Sequence, residues 1–100
     1  MATTTKALAR GAFATSSATL YTVPASTTTV VTNIVVDNTA GTAATFSILL
    51  DGVEILSSAA IDANASAFFD LKQVLATTKT ITGFASAVTV KFHISGVEIS

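Results

Sequence analysis

The chain has 100 residues, the size of one domain, and half of them are hydrophobic, so it can bury a core and is not disordered along its length. Charged residues make up only 11%, against roughly 25% in an average soluble protein, and the net charge of −1 comes without any basic run, which excludes a nucleic-acid binder. There is no cysteine, hence no disulfide or thiolate metal site, and no apolar run approaches the about 18 residues of a membrane-spanning helix.

In chain order, residues 1–17 lack alternation and are rich in Ala, Thr and Ser. They read as an extended N-terminal arm ahead of a β domain over 18–100. The start, up to Ala14, faintly imitates a secretory signal, but Arg10 and Gly11 interrupt its apolar part, which argues against secretion by that route. Lys6, Arg10 and Phe13 are the arm's candidate contact residues. Arg10 can pair with a partner's carboxylate and Phe13 can fill an apolar pocket, as residues of these types do at interfaces.

Helical periodicity is absent, and 35 of the residues are β-branched Val, Ile or Thr. In Val30–Val36 the alternation puts Val30, Thr32, Ile34 and Val36 on one face, and Asn38-Thr-Ala-Gly41 closes the strand with turn chemistry. Thr45–Leu50 follows, with Phe46, Ile48 and Leu50 sharing a face. Asp51-Gly52 then leads into Val53–Leu56, and Asp-Gly between two apolar runs signals a hairpin because both residues tolerate positive φ. Asp62–Ala65 reads as a turn, and Ser66–Leu71 as a strand with Ala67, Phe69 and Leu71 on one face and Phe68 on the other. Phe68 is therefore a candidate interface residue. Lys72–Thr77 reads as a helical turn or a loop, and Lys79–Phe84 as a strand in which Gly83 marks a bulge or a close backbone approach. In the last run Val88, Val90, Phe92 and Ile94 alternate, then Val97 and Ile99 continue on the opposite parity. A bulge at Ser95-Gly96 would keep both halves facing one core.

The groups able to carry chemistry are sparse. His93 is the only histidine; it falls on the outer face beside Lys91 and lacks an orienting partner nearby. Asp37, Asp51, Asp62 and Asp70 sit at or near strand ends, where carboxylates serve turn backbone, and their spacing is not that of a calcium loop. Neither a nucleophile elbow nor a phosphate-cradling glycine loop is present. Asn64-Ala-Ser66 matches a glycosylation sequon without secretory context. These observations point away from an enzyme, a metal or any other cofactor. What distinguishes the chain is a surface of small hydroxyls, expected at Thr27–Thr29, Thr32, Thr45, Ser47, Thr80, Thr82 and Thr89. Isolated sandwiches place charges at such positions to block edge pairing.

The segment Leu20-Tyr-Thr-Val-Pro-Ala-Ser-Thr-Thr-Thr-Val-Val-Thr-Asn-Ile-Val-Val-Asp-Asn38 resembles the opening of small structural proteins of tailed bacteriophages, which run Leu-Tyr-Thr-Val-Pro-Ala-Gly into a first long strand. Ser26 stands where glycine is usual. The resemblance extends through the Asp-Gly hairpin and the closing strand, over residues 18 to 99. It implies assembly rather than chemistry and transfers no catalytic residue. The expected fold is all-β: an antiparallel β-sandwich or jelly roll of about 7–8 strands with an N-terminal arm. The expected function is that of a non-enzymatic virion protein, foremost a capsid decoration (cement) protein. It would act as a homotrimer that binds the phage major capsid protein, or another virion protein, on the particle surface after synthesis in the host cytoplasm. A tail, baseplate or fibre subunit is the alternative of the same class, and a glycan-binding β-sandwich module the alternative of another. No nucleic-acid or membrane partner is expected.

Overall fold

The computed structural model describes residues 2–100. Runs of β-branched and aromatic residues, punctuated by Gly, Asn, Asp and Ser, build eight strands: β1 (Thr3–Ala12), β2 (Ala18–Thr22), β3 (Thr28–Asn38), β4 (Ala44–Leu50), β5 (Val53–Ile61), β6 (Ser66–Leu75), β7 (Thr80–Ala85) and β8 (Val90–Ile99). They form two four-stranded antiparallel sheets, ordered β1-β8-β3-β6 and β2-β7-β4-β5, so the expected all-β sandwich is what forms. The pairs β4·β5, β3·β6, β2·β7 and β1·β8 are nested. The chain is thus one long antiparallel ribbon, doubled back at the β4–β5 hairpin and folded over so that successive rungs fall in opposite sheets. Ile34 and Ile94 from one sheet meet Phe46, Ile48 and Ile81 from the other, all excluded from solvent.

Two turns follow directly from residue type. Asp51 and Gly52 take φ of 52° and 76°, the left-handed pair that a two-residue hairpin needs to match strand twist. Asn64 takes φ 54° in the turn after β5, where the Ala65 N–H donates to the Asp62 carbonyl at 3.2 Å. Asn38, the last residue of β3, is fully buried and ties three segments together. Its Nδ2 donates to the carbonyls of Thr42 at 2.8 Å and Asp62 at 3.2 Å, while its Oδ1 accepts the Ala40 N–H at 3.1 Å.

Four expectations are corrected. Residues 1–17 are not an arm, because Thr3–Ala12 pairs along β8 as the edge strand β1 and Phe13, 1% exposed, enters the core. The expected boundary at residue 18 therefore separates strands that share one core. The bulge expected at Ser95-Gly96 lies instead on the neighbours of β8. Leu8 is the extra residue in β1, between Ala7 opposite Ser95 and Ala9 opposite Ile94; Thr32 is the extra residue in β3 relative to β8, between Val31 opposite Gly96 and Asn33 opposite Ser95. Consequently β8 alternates without interruption, and Val97 and Ile99 are half-buried on the outer face. The parity reversal falls in β3, where Val30 points outward and Val31 inward. Gly96 accommodates both bulges: a Cβ there would lie 2.3 Å from the Val30 carbonyl oxygen and 2.8 Å from Leu8 Cδ1. Lys72–Thr77 is neither helical nor wholly loop, since β6 runs on to Leu75 before a turn in which Thr78 takes φ 69°. Finally, Thr27, Thr29 and Ser47 are buried. The Ser47 hydroxyl accepts the Ser58 N–H at 2.9 Å where β5 bulges, and Thr29 Oγ1 shares a 2.9 Å hydrogen bond with the Tyr21 hydroxyl.

Candidate functional site

The two long flanks of the sandwich differ in chemistry. On the β1–β2 flank a polar cluster bridges the sheets. Glu98 projects inward from β8, accepts a hydrogen bond from the Tyr21 hydroxyl on β2, and receives Lys6 Nζ of β1 at 3.3 Å. That hydrogen bond, helped by Lys6, holds the Glu98 carboxyl below its usual range against the opposing effect of burial. Burial, and then the bond to Glu98, push the Tyr21 phenol up to about 12. A charge-assisted bond between sheets is a stabilising clamp here.

The β5–β6 flank is open and mainly apolar. Ile34 forms the floor of a groove of about 260 Å³, with Ile55 and Leu56 of β5 on one wall and Phe69, Asp70, Leu71 and Gln73 of β6 on the other. Of the five exposed large hydrophobic residues, Val53 and Ile55 lie on β5 and Phe68 and Val74 on β6; the fifth, Val88, lies in the turn before β8. Phe68 is 72% exposed and Val74 67%, values at which a large apolar side chain gains almost nothing from the fold. Both belong to the outer face of β6, which presents Phe68, Asp70, Lys72 and Val74 in turn. Nothing about this groove converges on a reacting atom. Its apolar walls and the exposed residues beside it suit contact with another surface.

The candidate contact residues are not brought together. Lys6 and Arg10 are exposed on β1, Lys6 engaged with Glu98 and Arg10 in register with His93. Phe68 is exposed on β6, the opposite edge of the same sheet. Phe13 cannot anchor a partner, because its ring stacks in the core 4.9 Å from that of Phe92 and 6.1 Å from that of Phe46. Sequence reasoning missed Val53, Ile55 and Val74. The signal for Val74 was the even-numbered series from Phe68 onward, which reading Lys72–Thr77 as non-strand cut short.

No family model matches the chain, and no curated protein matches it. Among solved structures, a pentameric capsid protein isolated from metagenomic phage sequences is 17% identical over 90% of this chain, with a TM-score of 0.39. A second structure of a pentameric capsid protein from such sequences gives 18% and 0.37. The chain spans 59% and 61% of those two proteins. CBM35 from Paenibacillus barcinonensis is 10% identical over 98% of this chain and 88% of its own, with a TM-score of 0.40. At these scores the likeness is one of coarse outline.

Proposed function

We propose that this chain is a non-enzymatic structural subunit of a phage particle, and specifically a decoration protein that seats on the outer capsid and holds neighbouring capsomers together. The phage part of this reading rests on the resemblance of residues 20–38, which cover the end of β2, the turn through Pro24, and β3. The assembly part is carried by one observation: four of the five exposed large hydrophobic residues gather along the β5–β6 flank beside an apolar groove. Such a concentration is an interaction surface in a chain that must stay soluble until it meets its partner. The nested ribbon of two four-stranded sheets supports the reading, since a jelly roll, an architecture of viral capsid domains, is an eight-stranded double sheet of this kind. Lectin domains share this architecture, so fold alone does not choose between capsid and glycan, and the exposed large apolar residues of the β5–β6 flank favour a protein partner.

Cryo-electron microscopy of the particle tests the assignment. Density for this sandwich at the capsid's local symmetry axes is the expected result. Density confined to the tail would replace the decoration role with that of a tail or fibre subunit. Absence from the particle, with a saturable hit on a glycan array, would overturn the structural role altogether.

A further inference from the structure

The free edge of β6 has a chemically matched partner in its own sequence, and the geometry points to a second copy of this chain, whose β6 adds antiparallel across a two-fold axis through Leu71. The three other edge strands are poorly suited to pairing. β1 is interrupted by the bulge at Leu8, β2 has only five residues with a register shift at Leu20, and β5 shifts register twice and holds Ser58 at φ 47°. β6 also shifts register once against β3, at Leu71 and Lys72, which together face the single residue Thr32. Its side chains keep alternating across that step, with Phe68, Asp70, Lys72 and Val74 outward and Phe69, Leu71, Gln73 and Leu75 on the inner side, Gln73 exposed at the open flank.

Placing Leu71 opposite Leu71 of the second copy sets Asp70 against its Lys72 and Phe68 against its Val74, each pair occurring twice. The most exposed aromatic of the sheet thus meets the most exposed aliphatic, and opposite charges meet in the middle. Within one copy those charges have little else to bind. Among the described residues Lys72 makes no ion pair, and Asp70 accepts only a 3.5 Å bond from the Asn33 amide. An edge lysine ordinarily blocks pairing by leaving a charge unmatched, but here Asp70 stands where the second lysine arrives. The register is specified as well. Moving the axis one residue toward Asp70 sets aspartate against aspartate, and moving it one toward Lys72 sets lysine against lysine, both unfavourable when directly opposite. On the inner face the second Leu71 lands beside the first and extends the apolar wall of the β5–β6 groove. The two four-stranded sheets that contain β6 then join into one continuous sheet.

This contact stands independently of the phage reading: it concerns the isolated protein, and failure to bind a particle would leave it intact. It also differs from the trimer expected from sequence, since a two-fold contact closes on two copies. Sedimentation equilibrium of the full chain, with Asp70→Lys, Lys72→Asp and the double exchange, provides the test, and far-UV circular dichroism confirms that each variant keeps its fold. A dimer is expected for the unaltered protein. Either single reversal puts like charges opposite twice and should weaken dimerisation by about tenfold or more, while the double exchange should restore it. A second variant reads the register. The chain has no cysteine, and directly opposed Cα atoms about 4.5–5.5 Å apart lie within disulfide range, so Leu71→Cys should link to itself on mild oxidation whereas Thr45→Cys on the other sheet should not. A monomer at high micromolar concentration overturns the proposal. So does a trimer whose Leu71→Cys variant does not cross-link, or charge reversals that leave association unchanged, or a double exchange that fails to restore it.

Discussion

If residues 1–17 belong to the core rather than to an arm, truncating Phe13 must cost folding stability and not merely a contact with a partner. The ring is closed off from solvent and packs between Phe92 and Phe46, with centroids 4.9 and 6.1 Å away. One of its atoms lies 3.0 Å from where a Cβ on Gly83 would stand, so the space around it is tightly filled. Replacing a buried Phe by Ala typically costs about 3–5 kcal/mol, transfer and cavity together. That is a large share of the roughly 5–15 kcal/mol available to a domain of this size. At about 4–8 °C per kcal/mol, the melting temperature should fall on the order of 20 °C. Urea unfolding followed by circular dichroism at low micromolar concentration isolates this from association. Phe68→Ala serves as the reference, because an outward, exposed position should change stability by no more than about 0.5 kcal/mol. A loss below about 1 kcal/mol for Phe13→Ala would show that Phe13 and the strand before it sit off the core, and the correction of the arm would be wrong.

Asn38→Ala removes the donor shared by the Thr42 and Asp62 carbonyls and the acceptor of the Ala40 N–H, so unfolding in urea should show a loss of about 3 kcal/mol; a neutral result would mean that water replaces the side chain without cost. Gly96→Ala drives a methyl group into the Val30 carbonyl, and because backbone rather than a flexible side chain must yield, it should lower stability by about 2 kcal/mol or more in the same assay. Tyr21→Phe tests the clamp between sheets through its pH dependence. The Glu98 carboxyl is held below its ordinary value of 4.5, so its stabilising contribution is complete above that value and is lost as pH falls through the lower folded-state value. Removing the Tyr21 hydroxyl takes away the largest cause, and the acid limb of stability against pH should become shallower. Tyr21 itself is raised from 10.0 to about 12, so the unaltered protein should lose stability as pH rises through that window and the phenylalanine variant should not lose this component. Parallel stability curves for the two proteins at both ends would refute the clamp.

What could be read from the sequence was whatever depended on neighbouring residues alone. Asp51-Gly52 announces its hairpin because two adjacent residues decide the turn, and Phe46, Ile48 and Leu50 reveal their face because β4 alternates strictly. β1 was illegible for a physical reason: Leu8 is its only buried residue, so it has no apolar alternation and becomes a strand only by pairing with β8. The doublets Val30-Val31 and Val35-Val36 fit either parity, which hid the reversal at Thr32 inside an apolar run. The parity change near Ser95-Gly96 was visible, but alternation along one strand does not say which of three paired strands carries the extra residue. At the candidate surface, Phe68 stood out against Ala67, Phe69 and Leu71, whereas Val74 followed two polar residues that masked the continuation of β6.

The location of the open flank follows from the way the ribbon folds. Only the four-residue connection Asp62–Ala65 crosses between sheets on that side, at the end where Ile61 and Ser66 meet it. Burial along the inward side of β5 declines with distance from this crossing: Ile61 is buried, Ala59 and Leu56 are half-buried, and Val53, which shares a face with core residue Leu50, is exposed. The β1–β2 flank has both a crossing at Phe13–Ser17 and, toward the far end, the Tyr21–Glu98–Lys6 cluster to hold the sheets together. No comparable polar bridge joins β5 to β6 among the described hydrogen bonds and ion pairs, and the sheets part there to leave the groove over Ile34. A mainly apolar groove next to a free edge strand offers a partner both unpaired backbone groups and apolar surface to cover, the two ingredients of strand addition. The same sandwich can therefore keep one flank sealed by its own side chains and leave the other to be completed by assembly.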